Sequence, residues 1–313
     1  GSDEEEAERQ MEAMATTGAA SAASASPEVS RAKASADRVF AEAIVGQEAL
    51  ATLTALLQSL LALPGSHGIT NTTTEATEAL LGDTCELRQA TCQAIASVAS
   101  LLSRAPCPGA SAHLSATWSA LLGMAKAGLE ELLRLGQLAD LAQDWVDSLC
   151  AALEATSKEP QVAAGADGTH AQLLLLLATS NSPGILARTL CIRTLASLAS
   201  AKPPGATLTE ADALLKALED GAPAVASEAL NVLMDLFGED DRPDLDQFYV
   251  TQLVEKKMIE ASTLLKRRVK RAGTAADEED GIDRELAAHI REILLNTSRF
   301  IKYKRGMLQS GSG

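Results

Sequence analysis

The chain has 313 residues, of which 46% are hydrophobic, mostly Ala and Leu, and only 3% are aromatic. Few Val or Ile residues and little alternation of apolar and polar residues exclude a sheet-based fold and favour an all-α protein. A net charge of -15 disfavours nucleic acid and anionic membranes as direct partners and favours basic proteins. No apolar run reaches about 18 residues, so we expect no membrane span.

The N-terminal residues are predicted to be disordered. The range 3–12 contains six acids and one base, and 16–27 is rich in Ala and Ser without an apolar stripe. We therefore assign residues 1–29 to an acidic and Ala/Ser-rich lead-in. The terminal Gly and Ser residues are typical of cloning remnants, and there is no initiator Met. We expect a fragment of a longer protein, with a flexible tail over 305–313.

Helical patterning starts near Ser30, and stretches that contain Gly or Pro divide it into separate helices. Asp83 is a predicted N-cap, with Glu86 as its capping-box partner. Residues 158–168 are predicted to be the most flexible internal loop. The predicted helices cover 30–63 with an interruption near Gly46, 83–104, 111–135, 137–156, 169–179, 184–200, 209–220, 223–237, 245–271 as one helix or two, and 282–304.

The range 223–237 carries the clearest amphipathic pattern. Its first residue is a proline, which fits a first helical turn, and Gly238 fits a helix end with positive φ. On a helical wheel the apolar residues form one arc, while Glu228, Asn231 and Asp235 share the opposite side. That side can contact a partner, and the simpler interpretation is an ordinary solvated face.

A second acidic surface lies on the predicted helix 137–156. Its four carboxylates fall within about 80° of one another at about 100° per residue, and Ala151 in the same stripe leaves room for a ligand. Trp145 falls on the apolar side and is predicted to lie in the core. A solvated face is again the simpler interpretation, because exposed ion pairs contribute only about 0–1 kcal/mol each. The four carboxylates are Asp140, Asp144, Asp147 and Glu154.

Helices joined by short Gly/Pro connections are typical of a bundle or a solenoid. Self-similarity favours the solenoid, because Arg88 and the following Ile95–Ser100 recur 100 residues later as Arg188 and Leu195–Ser200. Predicted helix pairs start 36–58 residues apart, which brackets the roughly 40–47 residues of HEAT and armadillo units. An Ala-rich composition alone also produces such matches. We predict an all-α, HEAT/armadillo-like right-handed α-solenoid over residues 30–304.

No residue pattern indicates catalysis. The four histidines lie outside any Gly-x-Ser-x-Gly or His-Glu-x-x-His frame, and no Gly-rich phosphate loop occurs. The five cysteines lack metal-ligand spacing and are predicted to be small buried residues in a reducing compartment. We therefore expect a protein that is not an enzyme and holds no cofactor or metal.

One basic cluster runs against the overall charge. Residues 256–271 contain seven bases and one acid, and Lys266–Arg271 resembles a nuclear localisation patch. Bases near the C-terminus of a helix also complement the helix dipole, which is the simpler explanation.

The C-terminal third resembles a known family. Ser227–Asp241 resembles the last full repeat of the symportin family, Leu264–Lys270 the long helix that follows it, and Leu294–Lys304 the family's last helix. The resemblance covers residues 222–304 and rests on the order and spacing of these motifs. Symportins are HEAT/armadillo adaptors, so it implies a solenoid that chaperones the two ribosomal proteins that bind 5S rRNA. It also implies import of these proteins into the nucleus with a karyopherin.

The same resemblance implies which parts of the family this chain would lack. Family members carry an N-terminal armadillo half, a long acidic loop and a Pro-Tyr-type import signal, and no Pro-Tyr dipeptide occurs here. The chain would correspond to the C-terminal portion, with the karyopherin bound through another part, and would shuttle between cytoplasm and nucleus. The family's motifs supply no cargo-contact residue.

We therefore expect a non-enzymatic scaffold whose acidic concave surface holds a basic segment of a ribosomal protein during ribosome biogenesis. Both acidic surfaces are candidates for the second helix of a pair, which lines the concave side of a HEAT solenoid. The alternative is a generic HEAT scaffold for acidic or neutral partners, for example in trafficking, which would not lose affinity steeply with salt. The predicted partner-binding residues are Asp140, Asp144, Asp147, Glu154, Glu228, Asn231 and Asp235.

Overall fold

The computed structural model consists of helices joined by short connections. It describes residues 37–45, 48–61, 75–105, 107–135, 139–181, 183–204, 206, 208–239, 242–272 and 284–310, so the predicted lead-in over 1–29 lies outside the described residues. No strand occurs in these ranges, and the all-α prediction is confirmed. The helices are α1 (Asp37–Val45), α2 (Ala49–Leu61), α3 (Glu75–Arg104), α4 (Ala110–Leu135), α5 (Ala139–Ser157), α6 (Pro160–Gly165), α7 (Gly168–Thr179), α8 (Ile185–Ser200), α9 (Thr209–Ala217), α10 (Pro223–Phe237), α11 (Pro243–Thr251), α12 (Val254–Ala272) and α13 (Arg284–Ser310).

The helices pack as consecutive pairs in two layers. The second helices of the pairs, α3, α5, α8, α10 and α13, contact one another in that order and form what we call the second-helix layer. Their first helices, α2, α4, α7, α9 and α12, each pack against the second helix of the same pair. Each pair buries its apolar surface against the next, as in a helical repeat array. The predicted α-solenoid is therefore confirmed.

The recurring sequence motif explains how the second helices approach one another. Ile95 and Ala99 in α3, and their counterparts Leu195 and Ala199 in α8, are all fully buried. The small alanines leave room for a neighbouring helix, and the branched residues one turn away fill the space between the layers. In α8, which lies between α5 and α10, nine of 16 residues are buried.

A buried arginine links the first two helix pairs. Arg88 in α3 is 1% exposed, and its Nη1 donates to both carboxylate oxygens of Glu131 in α4, at 3.0 and 2.9 Å. Its Nη2 donates to the carbonyl of Leu60 at 3.0 Å, in the last turn of α2, where helix carbonyls lack partners within the helix. The guanidinium also lies 5.3 Å from the ring centroid of Trp145 in α5. One side chain of α3 thus contacts three other helices.

Arg188 repeats this arrangement in α8. Its Nε donates to the carbonyl of Ala178 in the last turn of α7 at 2.8 Å, and its Nη2 donates to both oxygens of Asp220, each at 2.6 Å. Asp220 lies between α9 and α10 and also accepts the backbone N–H of Ala222. The sequence match between Arg88 and Arg188 therefore reflects a repeated tertiary contact.

Aromatic side chains join the C-terminal helices. Phe237 at the end of α10 is fully buried, with its ring centroid 6.1 Å from that of Phe248 and 5.4 Å from that of Tyr249. Tyr249 in turn meets Phe300 of α13 at 6.4 Å. These rings fix α11 between α10 and α13.

Two features between residues 75 and 168 differ from the predictions. Asp83 is not an N-cap, because α3 begins at Glu75 and Asp83 lies exposed inside it, so Glu86 is not a capping-box partner. The range 158–168 contains α6, which Val162 and Ala163 anchor in the core, in place of a flexible loop. A capping box formed by Asp167 and His170 follows directly, at the start of α7.

The range 245–271, predicted to be one helix or two, forms two helices, α11 and α12, divided at Leu253, which has φ 52°. Two other C-terminal features differ from the predictions. Gly238 ends α10 with φ -83°, so no positive φ is used. Helix α13 continues to Ser310, where a flexible tail was predicted from 305, because Arg305 pairs with Glu255 of α12.

No single helix among the described residues is long and apolar enough to cross a membrane. The pair α1 and α2 meets that test of length and composition only when taken together, across a bend of 56°. In α2, three leucines are buried against the rest of the protein.

The Arg188–Asp220 contact can be tested by unfolding. Arg188→Met leaves the Asp220 carboxylate, whose side chain is 4% exposed, without a counter-charge. We expect a loss of about 3–5 kcal/mol in the free energy of unfolding. Adding Asp220→Asn should recover part of that loss, because the two residues are coupled. Urea unfolding followed by circular dichroism measures both, with the exposed Arg104→Met as a control expected to stay within about 0.5 kcal/mol. Strictly additive losses would contradict the account.

Candidate functional site

The two predicted acidic surfaces lie on the same layer of the solenoid. Helix α5 carries Asp140 to Glu154, and α10 carries Glu228 to Asp235. Both are second helices of their pairs, and only α8 lies between them. Both candidate segments therefore occupy the second-helix position of their pairs.

Glu228 differs from the helical-wheel expectation. Its side chain is 8% exposed, and one carboxylate oxygen accepts a hydrogen bond from Arg193 Nε of α8 at 2.6 Å. This ion pair raises the pKa of Arg193 above its ordinary value. The wheel placed Glu228 on the polar side correctly, but the neighbouring helix covers that part of α10. Its carboxylate is thus engaged within the chain.

The remaining α10 residues lie at the edge of this ion pair. Asn231 is half-buried and Asp235 is exposed. Partial burial, and then the charge of Glu228, raises the pKa of Asp235 above its ordinary value. Of the three predicted α10 residues, only Asp235 presents an exposed carboxylate.

On α5, the acidic stripe is distributed from the helix start towards its end. Asp140 and Asp144 are exposed and have no ion-pair partner among the described residues. Glu154 is half-buried and pairs with Lys158 at 3.0 Å. The stripe therefore offers two unpaired carboxylates near the start of α5, while Glu154 is partly neutralised.

Asp147 has a structural role that its position on the helix does not reveal. Its Oδ1 accepts hydrogen bonds from Gln143 Nε2 at 2.6 Å and from the backbone N–H of Ala187 at 3.2 Å. Ala187 lies in the first turn of α8, whose own N-cap, Gly184, has no side chain to offer. Asp147 thus caps the neighbouring helix from α5, which is favourable for a carboxylate at a helix N-terminus.

Gly184 also makes this geometry possible. A Cβ at that position would lie 2.6 Å from Gln143 Nε2 and 2.9 Å from Gln143 Cδ, which is closer than side chains pack. A side chain at position 184 would therefore displace the end of the Gln143 side chain. Burial raises the pKa of Asp147, the hydrogen bonds from Gln143 and Ala187 oppose this increase, and the charge of Asp144 adds to it.

A pocket of about 410 Å³ opens beside this carboxylate, between α3, α5 and α8. Its acidic side is formed by Asp144 and Asp147, and its polar residues include Ser148 and two glutamines of α3. Ala151, predicted to leave room for a ligand, lines it as well. The lining residues from α3 and α8 were not among the residues predicted from the sequence. The complete lining is Gln89, Gln93, Ala96, Ser97, Asp144, Asp147, Ser148, Ala151 and Leu186.

The other candidate residues have structural positions. Trp145 is fully buried, as predicted, and Trp118 is 3% exposed. Four of the five cysteines are buried and Cys107 is half-buried. His170 accepts the backbone N–H of Asp167 in the α7 capping box. Within the described ranges, no group of three or more His, Cys, Asp or Glu residues could hold a metal ion.

The basic cluster lies on α12. Arg268 donates to the backbone carbonyl of Gly221, and Lys256 pairs with Glu260 across one turn at 3.9 Å. Part of the cluster therefore contributes to packing between helix pairs.

Comparison with known families agrees with this architecture. A family model described as SYO1-like, TPR repeats, matches residues 83–308. The chain belongs to the symportin family. The match extends from α3 to α13 and includes both acidic surfaces, well beyond residues 222–304, which carry the resemblance in sequence. TPR units, like HEAT and armadillo units, are stacked helix pairs. No curated protein and no solved structure matches the chain. This symportin is accordingly a helical-repeat scaffold.

Two substitutions in this symportin test whether Asp147 both caps α8 and carries a charge that burial disfavours. The pKa of Asp147 in the folded chain is raised above its unfolded value of 3.8. Ionisation of Asp147 therefore lowers the free energy of unfolding as the pH rises from 3.8 through the folded-state pKa. Asp147→Asn keeps an acceptor for Ala187 and removes the charge, so stability at pH 7 should be unchanged or higher. Asp147→Ala removes the cap and should cost about 1 kcal/mol. Urea unfolding at pH 7 and pH 3 measures both.

The difference between the Asn variant and the natural chain should shrink towards zero at pH 3, below the unfolded value of 3.8, where Asp147 is mostly protonated in both the folded and the unfolded chain. A loss in the Asn variant at pH 7 as large as that in the Ala variant would contradict this assignment.

Proposed function

We propose that this scaffold is a chaperone and nuclear-import adaptor that holds basic segments of the 5S rRNA-binding ribosomal proteins on its second-helix layer. The supporting observation is that Asp140 and Asp144 on α5 are exposed beside the pocket, without an ion-pair partner among the described residues. Family membership supports the cargo class, and karyopherin binding would lie outside this segment. Such an adaptor works in both cytoplasm and nucleus.

Electrostatics indicates what the acidic surface contributes. Asp140 and Asp144 lie on one helix face with Asp147, and Asp235 lies on the same layer beyond α8. With a net charge of -15, the whole chain attracts a basic segment from a distance, and these carboxylates act at close range. Exposed ion pairs contribute little affinity each. Charge on this face should therefore accelerate association more than it slows dissociation.

The structure also refines which carboxylates can contribute. Glu228 already neutralises Arg193, and Glu154 pairs with Lys158. Reversing either charge would disturb contacts within the chain as well as cargo binding. Asp140 and Asp144 are the residues whose replacement changes the surface alone.

The test is binding of each purified 5S rRNA-binding ribosomal protein to the chain, measured by biolayer interferometry at two salt concentrations. Asp140→Lys with Asp144→Lys should slow association about tenfold or more at low salt. The difference should shrink at about 0.15 M salt, where the screening length is about 8 Å. The matched control is Glu130→Lys with Glu219→Lys, which makes the same charge change on exposed residues outside the second-helix layer.

Equal weakening by both double variants would mean that only net charge matters, and the proposed surface would be wrong. Binding that neither variant nor salt alters would favour the alternative of a generic scaffold for acidic or neutral partners.

A further inference from the structure

The pocket between α3, α5 and α8 has properties that an acidic surface alone does not require. Its volume of about 410 Å³ is far above the roughly 30 Å³ that one water occupies, and it falls in the range of about 300–1,000 Å³ for small-ligand sites. It is therefore large enough for a long side chain together with a few waters.

The walls combine apolar and acidic groups. Ala96, Ala151 and Leu186 supply the apolar part, and Leu186 is 55% exposed at the start of α8. An exposed leucine beside two carboxylates suits a ligand that has both an aliphatic part and a positive charge. Lysine and arginine have this composition, because their methylene stems pack on apolar surface while the charged group reaches polar partners.

Hydrogen-bond capacity in the pocket is left unused. Ser148 is 8% exposed, and its hydroxyl has no hydrogen-bond partner among the described residues. Both bonds to Asp147 end on Oδ1, which leaves Oδ2 without a donor among those same residues. Lysine and arginine offer several donors and no acceptor, so either side chain would satisfy these oxygens.

The acceptor is also held in place before any ligand arrives. Gln143 and the first turn of α8 fix Asp147 through one oxygen, and Gly184 leaves room for the Gln143 side chain. A carboxylate fixed in this way loses little side-chain entropy when a cation binds, which favours affinity.

We propose that this pocket is a specificity site for one lysine or arginine side chain of the bound basic segment. The inference rests on the proposed function. It adds that the bound side chain must have a long aliphatic stem as well as a positive charge. The stem would pack against Ala151 and Leu186, and the cationic group would reach Asp144, Asp147 Oδ2 and Ser148.

The test compares two fluorescein-labelled peptides of equal charge. Octalysine has four-carbon stems, and an octamer of 2,4-diaminobutyric acid has stems two methylenes shorter. Each buried methylene changes binding about fourfold, so with two more methylenes octalysine should bind the natural chain about sixteenfold more tightly. Fluorescence anisotropy at fixed salt measures both affinities.

Two variants then locate the preference. Ala151→Leu fills the pocket without changing charge, and Leu186→Ser removes the apolar wall at an exposed position where folding tolerates it. Both should reduce the ratio of the two affinities to about two or less. The matched control, Ala127→Leu at an exposed position of α4, should retain the full ratio. Circular dichroism confirms that each variant is folded.

The outcomes separate the two proposals. If the natural chain binds both peptides tightly and equally, or if both pocket variants keep the preference, the pocket proposal is wrong and the acidic surface stands. If neither peptide binds, or if Asp140→Lys with Asp144→Lys leaves octalysine binding unchanged, the proposed function itself fails.

Discussion

The architecture depends on buried arginines that connect one helix pair to the next. Arg88 and Arg188 each bind a carbonyl at the end of one first helix and a carboxylate in the following repeat. A guanidinium can do this because its donors are arranged as a rigid fork, which a lysine does not have. Burial makes each contact conditional on the next repeat, because either ion left alone would be strongly unfavourable. The rotation between neighbouring pairs is therefore restricted by paired charges as well as by apolar packing.

That restriction determines what the second-helix layer presents. With α5 and α8 fixed relative to each other, Asp147 can cap the first turn of α8, and Arg193 can reach Glu228 on α10. Polar residues that a single helix would expose are thus divided between contacts inside the layer and an open surface. The open part is concentrated near the starts of α5 and α8, where the pocket lies. Stability and recognition consequently compete at Asp147, whose burial raises its pKa and whose second oxygen has no donor within the described chain.

Sequence reasoning succeeded where the signal is local. Helix periodicity gave the helices, and the recurrence of Arg88 as Arg188 indicated a repeat. The stripe on α5 also follows from a single helix. The burial of Glu228 could not be predicted in this way, because Arg193 lies 35 residues earlier on another helix. Nor could the pocket, since it depends on the axial position of α3 relative to α5. Asp83 was misassigned because a good capping pattern lay inside a longer run of helix-forming residues that began at Glu75.

Carboxyl footprinting measures the central claim most directly. Carbodiimide coupling of an amine to Asp and Glu side chains, read by mass spectrometry, can be compared between the chain alone and the chain with a 5S rRNA-binding ribosomal protein. The account predicts strong protection of Asp140 and Asp144 in the complex, and unchanged labelling of Glu130 and Glu219 outside the second-helix layer. Protection of Glu130 and Glu219, with Asp140 and Asp144 still labelled, would contradict it.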